Sequence, residues 1–294
     1  MAFADYVAFL YYVEHNASST IGGKLTAVRW LHAVNCIEVP PVKYVADVIK
    51  AVARGSRPPA SKRGLFLADI MAGRAAAAAE GPTSLATWRG ILLSYFYLLR
   101  ASEIWAYPCG RVHAAYCARV GSLRLYRDAG RLPLLRCREA TEVRLIIKGS
   151  KTDQLQTGAT LVLFATDGGP EDPVQLVCDI LLSLPADATL DYPLMTVRDQ
   201  RRSGGLRAIT RDEAAAFIKR LAVARGYDAD RYSTHSMRAG GATALAVKGV
   251  EPRLIKLAGR WKSDAFLGYI RGNTADYARI SSALSTGSAV VAVY

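Results

Sequence analysis

Apolar residues recur at helical spacing through three segments at the start of the chain: Phe3–Glu14 (Phe3, Val7, Leu10, Tyr11), Leu25–Val34, and Tyr44–Val52 after the pair Pro40-Pro41. The stretch GSRPPASKR at 55–63 has no apolar periodicity and combines Gly, two prolines and three basic residues, so it reads as a basic linker. Helical spacing resumes over Leu67–Glu80, stops at Gly81-Pro82, and restarts from Thr83-Ser84 through Trp88, Leu92, Phe96 and Leu99. Between 104 and 165 the pattern changes to short β-rich runs, Ser122–Tyr126, Leu132–Cys137, Val143–Lys148 and Thr160–Phe164, separated by Asp-Ala-Gly and Gly-Ser-Lys-Thr-Asp turns. Amphipathic spacing predicts a helix over Asp172–Leu184, and the capping box Thr210-Arg-Asp-Glu213 opens another that runs to Arg225, closed by Gly226. Further helices are predicted over Ala242–Val247, through Leu254–Leu257 between Pro252 and Gly259, over Ser263–Ile270 and over Ala275–Leu284, with an apolar tail at Ala289–Tyr294. The pattern describes an α+β protein, mostly helical: a small all-α domain at 1–54, the linker at 55–63, and a mixed domain with a small antiparallel sheet at 64–294.

Charge narrows the class of partner. Lysine and arginine outnumber the acids 38 to 25, a net charge of +13, with a pI near 9.7; this favours a polyanion such as nucleic acid. Besides the linker, Arg198, Arg201, Arg202 and Arg207 lie in a Gly-containing loop that either touches phosphates or is simply solvated. Five cysteines, an odd number at irregular spacing, do not make a disulfide framework and point to a reducing compartment. Cys109, His113 and Cys117 are spaced evenly by four, with Cys137 further on, which matches no paired-ligand zinc pattern, so they read as ordinary thiols and no metal is expected. There is no P-loop, GxGxxG, HExxH or GxSxG, so no cofactor is expected, and the absence of a signal segment or spanning run predicts an intracellular protein without membrane attachment.

Chemistry concentrates in Thr234–Arg271, which holds His235, Arg238, Trp261 and Tyr269. His235 and Arg238, three apart on a helix, share a face and together can hold one phosphate. Upstream, Arg100 ends an apolar helix, where a guanidinium needs an anionic partner, and Glu103 lies three residues on. Lys151 sits in the turn between two predicted strands, with Lys148 as a rival three residues earlier.

The order Arg100, Lys151, His235-x-x-Arg238, Trp261, Tyr269 resembles the signature of the tyrosine recombinases, or phage-type integrases, over roughly residues 63–285. The resemblance implies a tyrosine-recombinase catalytic domain behind a shortened helical domain of the core-binding kind, which either contacts DNA or is a plain helical packing domain. Its activity would be the cutting and rejoining of double-stranded DNA at specific sites through a 3′-phosphotyrosyl intermediate, by a homo-oligomer, a tetramer on DNA. It further implies that Arg100 and Arg238 bind the phosphate with Glu103 in support, that Lys151 protonates the leaving 5′ oxygen, that His235 serves as base or hydrogen-bond partner, that Trp261 donates its indole N–H or else braces the Tyr269 helix as an aromatic core residue, and that Tyr269 is the nucleophile, with Tyr277 its nearest rival. Two departures stand out. Trp261 lies one residue closer to Tyr269 than is common, and the span from Arg100 to Lys151 is long enough to hold an insertion at 106–140. A type IB topoisomerase-like enzyme and a catalytically inactive DNA-binding protein that reads DNA with the helices around Val250–Leu257 are the competing readings.

Overall fold

A computed structural model describes residues 2–38, 42–55, 63–149, 157–166, 169, 171–199 and 204–268. The chain divides into two compact units, Met1–Ser61 and Lys62–Tyr294.

In the first unit, α1 (Ala2–Ala8) continues as a π-helical turn over Phe9–Val13, followed by α2 (Ser18–Val34) and α3 (Val42–Gly55). Val7, Leu10, Ile21 and Leu25 form its buried centre, with Tyr11, Val48, Ile49 and Val52 packed against them. Helix α2 begins well before the apolar spacing predicts, because Ser18, Ser19 and Thr20 precede the first buried residue, Ile21, by less than a turn.

The second unit is built around α6 (Pro82–Phe96), whose Trp88, Ile91, Leu92, Leu93 and Tyr95 are all buried. It packs against α4 (Leu67–Ala72), α5 (Arg74–Glu80), α7 (Pro173–Ser183), α8 (Arg211–Ala224) and α9 (Ser236–Val247). A helix with apolar residues on nearly every side belongs at the centre of a core. Trp88 keeps its one polar atom satisfied by donating Nε1–H to the Ile70 carbonyl at 2.6 Å. The single helix predicted over Leu67–Glu80 is two. The chain turns at Gly73, where an added Cβ would sit 3.0 Å from Leu221 of α8, so the break lets α8 approach.

The sheet runs β2-β1-β3-β4, all antiparallel, from β1 (Leu123–Arg127), β2 (Gly130–Leu132), β3 (Glu142–Ile147) and β4 (Ala159–Phe164). Leu123, Leu125, Val143, Leu145 and Ile147 are buried while their neighbours alternate outward. The predicted strand Leu132–Cys137 is corrected: pairing stops at Leu132, and Leu134–Glu139 winds into 3₁₀ turns. Pro133, with φ −66° and no N–H to give the ladder, ends the strand, and Arg136 pairs with Glu139 one turn on. A second ribbon, β5 (Thr196–Arg198) with β6 (Leu206–Ala208), occupies what reads in sequence as a loop. Arg198 and Arg207 therefore lie on strands, bound to Asp187 and Glu213 respectively; Arg201 and Arg202 fall outside the described residues.

Helix α8 opens on the capping box read from sequence, Glu213 N–H donating to Thr210 Oγ1 at 3.2 Å and Thr210 N–H to Glu213 Oε2 at 2.8 Å. Helix α10 (Pro252–Gly259) follows α9. Where an α-helix is predicted over Ser263–Ile270, the described part is a 3₁₀ segment, Asp264–Gly268. Lys151, Tyr269, Tyr277, the predicted helix Ala275–Leu284 and the tail Ala289–Tyr294 lie outside the described residues, as do 56–62 of the predicted linker. No helix among the described residues is long and apolar enough to cross a membrane.

Close backbone contact seats α9. A Cβ on Gly240 would lie 1.9 Å from the Leu65 carbonyl oxygen, and Leu65 N–H donates to Ser236 O at 2.9 Å. Gly240→Ala should therefore destabilise the protein by about 3 kcal/mol, because forcing backbones apart outweighs the roughly 1 kcal/mol that alanine adds in helix propensity. Urea unfolding measures it, and a neutral or stabilising result contradicts the close packing.

Candidate active site

The site begins where α6 ends. Leu98 adopts a left-handed conformation (φ 46°), unfavourable for a residue with a Cβ, and its carbonyl receives two guanidiniums. Arg238 donates Nη1–H to it, and Arg260 donates Nη2–H at 3.3 Å. Two residues on, Arg100 starts a 3₁₀ turn (Ala101–Glu103) that folds the Glu103 carboxylate back: Arg100 N–H reaches Oε2 at 2.8 Å and Arg100 Nη1 reaches Oε1 at 3.1 Å.

Glu103 is completely buried. The same carboxylate accepts both terminal nitrogens of Arg260, Nη1 to Oε1 at 3.0 Å and Nη2 to Oε2 at 2.9 Å. The pair is two-pronged and largely desolvated, the geometry in which guanidinium and carboxylate bind strongly. Arg260 sits in the left-handed region (φ 57°, ψ 41°) at the end of α10, and its buried Nε has no hydrogen-bond partner among the described residues.

Arg238, 2% exposed, projects from the first turn of α9. It ties the Leu98 carbonyl to the Gly259 carbonyl at the end of α10 and its guanidinium carbon lies over the Trp261 indole, 4.1 Å from the ring centroid. The indole gets there because Gly259 has no side chain: a Cβ would fall 1.7 Å from the ring. Trp261 also packs near Phe266, in a small cluster with Ala242 and Ile255.

His235 stands at the N-terminal boundary of α9, anchored by its N–H to Ser233 Oγ at 3.3 Å, while Ser233 N–H donates to Ser236 Oγ at 3.0 Å. Its surface is open to solvent, yet desolvation of the ring, followed by the charges of Arg211 and Arg238, pulls its pKa below 6.5. Both effects favour the neutral imidazole.

Of the residues expected from sequence, Arg100, Glu103, Arg238 and Trp261 are joined by this one network, with His235 beside it; Lys151 and Tyr269 are outside the described residues. Sequence reasoning passed over Arg260. The signal was present, a second arginine directly before the tryptophan in Gly259-Arg260-Trp261, but the aromatic residue drew the assignment. Arg211, whose charge reaches His235, was likewise read only as part of a helix cap. Cys117 and Cys137 are buried, Cys109 is exposed, and His113 stacks on Tyr116 at 3.5 Å. Among the described residues no three His, Cys, Asp or Glu side chains converge as metal ligands would.

No protein-family model matches the sequence, and no curated protein matches it. Solved structures match it by fold. The XerH site-specific recombinase bound to palindromic difH substrate in a post-cleavage complex aligns over 97% of this chain and 71% of that one, at 15% identity and a TM-score of 0.57. The integrase of transposon Tn1549 in complex with circular intermediate DNA aligns over 96% and 83%, at 13% identity and a TM-score of 0.53. The fold is that of the tyrosine recombinases. At these identities what is shared is the fold, and the chemistry must be argued from the side chains.

Glu103→Ala should cost about 3–5 kcal/mol of stability, since it strands two largely buried guanidiniums without their carboxylate. Chemical denaturation of the wild type and variant measures the difference; a loss below about 1 kcal/mol would mean that the arginines do not depend on Glu103.

Proposed function

We propose that this protein is a site-specific DNA recombinase, or integrase, that cuts and rejoins DNA through a 3′-phosphotyrosyl intermediate. The observation that carries the reading is the convergence of Arg100, Arg238 and Arg260 around Leu98 and buried Glu103, with His235 three residues from Arg238, in a recombinase fold. Such guanidiniums, immobilised before substrate arrives, suit a phosphate that gains charge in its transition state. The basic balance of the chain and the DNA held by the matched XerH and Tn1549 structures support duplex DNA as the substrate.

The roles follow from transesterification. Tyr269 oxygen attacks phosphorus, its proton leaving to His235 or through it, and the bond to the 5′ oxygen breaks as Lys151 protonates that oxygen. Arg100 and Arg238 neutralise the non-bridging oxygens, and the released 5′-hydroxyl of another strand reverses the step. One phosphodiester is exchanged for one phosphotyrosine, so the energy of the bond is kept and rejoining requires neither metal nor nucleotide. Trp261 acts by bracing the Arg238 guanidinium from its face; Arg260 holds Glu103, and through it Arg100, in place. Exchange of both strands of two duplexes breaks four phosphodiesters, one per tyrosine, so the assembly on DNA is a homotetramer. The helical domain at 1–54 and the basic linker at 55–63 add contacts to the duplex backbone.

The reading is tested with a duplex carrying the protein's own recombination site, found by selection, and a nick that lets the cleaved fragment diffuse away. Wild-type protein should accumulate a covalent adduct that survives detergent and disappears with protease. Tyr269→Phe should abolish it without loss of noncovalent binding, and Arg100→Lys or Arg238→Lys should slow its formation about a hundredfold or more. An adduct that persists in Tyr269→Phe and vanishes in Tyr277→Phe moves the nucleophile. Relaxation of supercoiled plasmid of arbitrary sequence indicates a type IB topoisomerase-like enzyme, and DNA binding with no adduct indicates a protein that has lost catalysis.

A pH profile examines His235. Because its folded pKa is depressed below 6.5, the neutral, proton-accepting form persists to lower pH than for a free imidazole. Cleavage on limiting DNA should hold constant from pH 8 to below 6.5 and then fall, and His235→Gln should be slow throughout and lack that fall. An acid limb centred above 6.5 in the wild type, or one unchanged by the substitution, removes His235 as the titrating base.

A further inference from the structure

The outward face of the sheet is assigned no part in the chemistry above, and its composition is distinctive. Residues 119–144 carry seven basic residues against three acids, a net +4 within a chain of +13, and all seven are arginines. Arg136 pairs with Glu139, Arg144 with Glu142, and Arg127 with Asp128; Arg119, Arg124, Arg131 and Arg138 have no carboxylate partner among the described residues. Alternation puts Arg124, Tyr126, Arg131 and Arg144 on the face opposite the core residues Leu123, Leu125, Val143 and Leu145.

Register makes the face more than a solvated surface. Arg124 stands directly across from Arg144, and Arg131 across from Tyr126. Like charges opposite one another disfavour strand pairing, and a surface meant only for solubility would use lysine as readily. Two of these guanidiniums are held in fixed orientations. Arg144 lies over the Tyr126 ring at 4.2 Å and binds Glu142, and Arg124 donates to the Gly121 and Leu123 carbonyls at 2.6 and 2.8 Å. Beside Arg124 and Arg131 the surface sinks into a hollow of about 350 Å³.

We infer that this arginine face, largely supplied by the segment that lengthens the Arg100–Lys151 interval, is a second binding surface for the phosphate backbone of duplex DNA. It rests on the proposed recombinase reading and extends it, adding contacts beyond the scissile phosphate. Strand β4 borders the depression shared with Arg260 and α10; β2, which bears Arg131, lies three strands away. At about 4.8 Å per strand that is roughly 14 Å, or about four base pairs of duplex at 3.4 Å each. The face therefore lengthens the footprint without touching the reacting atoms.

The test measures affinity for a 40-base-pair duplex of arbitrary sequence by fluorescence anisotropy across a potassium chloride series, comparing wild type with the double variant Arg124→Gln/Arg131→Gln. Two lost phosphate contacts should lower the magnitude of the slope of log affinity against log salt by about 1.8 and weaken binding about thirtyfold near 0.15 M salt. A control, Lys219→Gln/Arg220→Gln, removes the same charge from α8, where both residues are exposed and already paired with acids. The proposal holds if the sheet variant loses slope, the control does not, and both melt at the wild-type temperature. It is overturned if the two variants weaken equally, which makes the effect one of net charge, or if the sheet variant binds as wild type does, which leaves the face to an acidic protein or to solvent. It is also overturned, together with DNA binding itself, if wild type shows no salt-dependent affinity; an intact wild-type slope with an unchanged sheet variant discards the face alone.

Discussion

Glu103 is the constraint on which the second unit turns. A carboxylate with no solvent exposure is tolerable only when cationic donors surround it, and here Arg100 and Arg260 meet both of its oxygens. Each arginine brings a different part of the chain: Arg100 the turn after α6, Arg260 the end of α10. Folding the charge inward thus ties residues 98–103 to residues 259–261, segments more than 150 positions apart. The cost is visible in the backbone, since Leu98 and Arg260 both occupy left-handed conformations that disfavour a Cβ. Those conformations persist because they aim a carbonyl and a guanidinium into the same network.

Arg238 adds a different kind of restraint. Its donors go to main-chain carbonyls of Leu98 and Gly259 and its face to an indole, an arrangement that fixes the guanidinium plane. Fixing a plane matters for phosphate chemistry, because a fork of parallel N–H donors helps only when it is already aligned with the oxygens. Glycine makes this alignment possible at two places: Gly240 lets α9 seat against the Leu65 backbone, and Gly259 lets Trp261 cover Arg238. The identity of the small residues is set by the position of the large one.

Much of this was legible in the sequence wherever local rules decide the outcome. The capping box at Thr210, the alternation in β1, β3 and β4, the apolar α6 and the pairing of Arg100 with Glu103 three residues on are all short-range consequences of residue type. What escaped depends on distant partners or on a single breaker. Pro133 cancelled all but the first residue of a predicted strand, Gly73 split a helix to admit α8, and β5 with β6 formed a ribbon from segments too short to show a period. Arg260 escaped because its meaning lies in Glu103, 157 residues away, while the adjacent tryptophan offered a nearer explanation.

The two populations of arginine should answer differently to ionic strength. Charges at the sheet surface feel screening over about 8–10 Å, so salt weakens what they hold. Arg238 and Arg260, buried among carbonyls, a carboxylate and an indole, are screened much less, so salt changes their arrangement less. Under the proposed function, capture of a polyanion and organisation of a reacting phosphate fall to separate sets of one residue type. One set lies on the sheet surface; the other is buried and held by main-chain carbonyls, an indole and, for Arg260, the Glu103 carboxylate. The burial of Glu103 lets Arg100 and Arg260 be held rigid in a low-dielectric site while keeping their charge, and the Leu98 carbonyl they frame also receives Arg238.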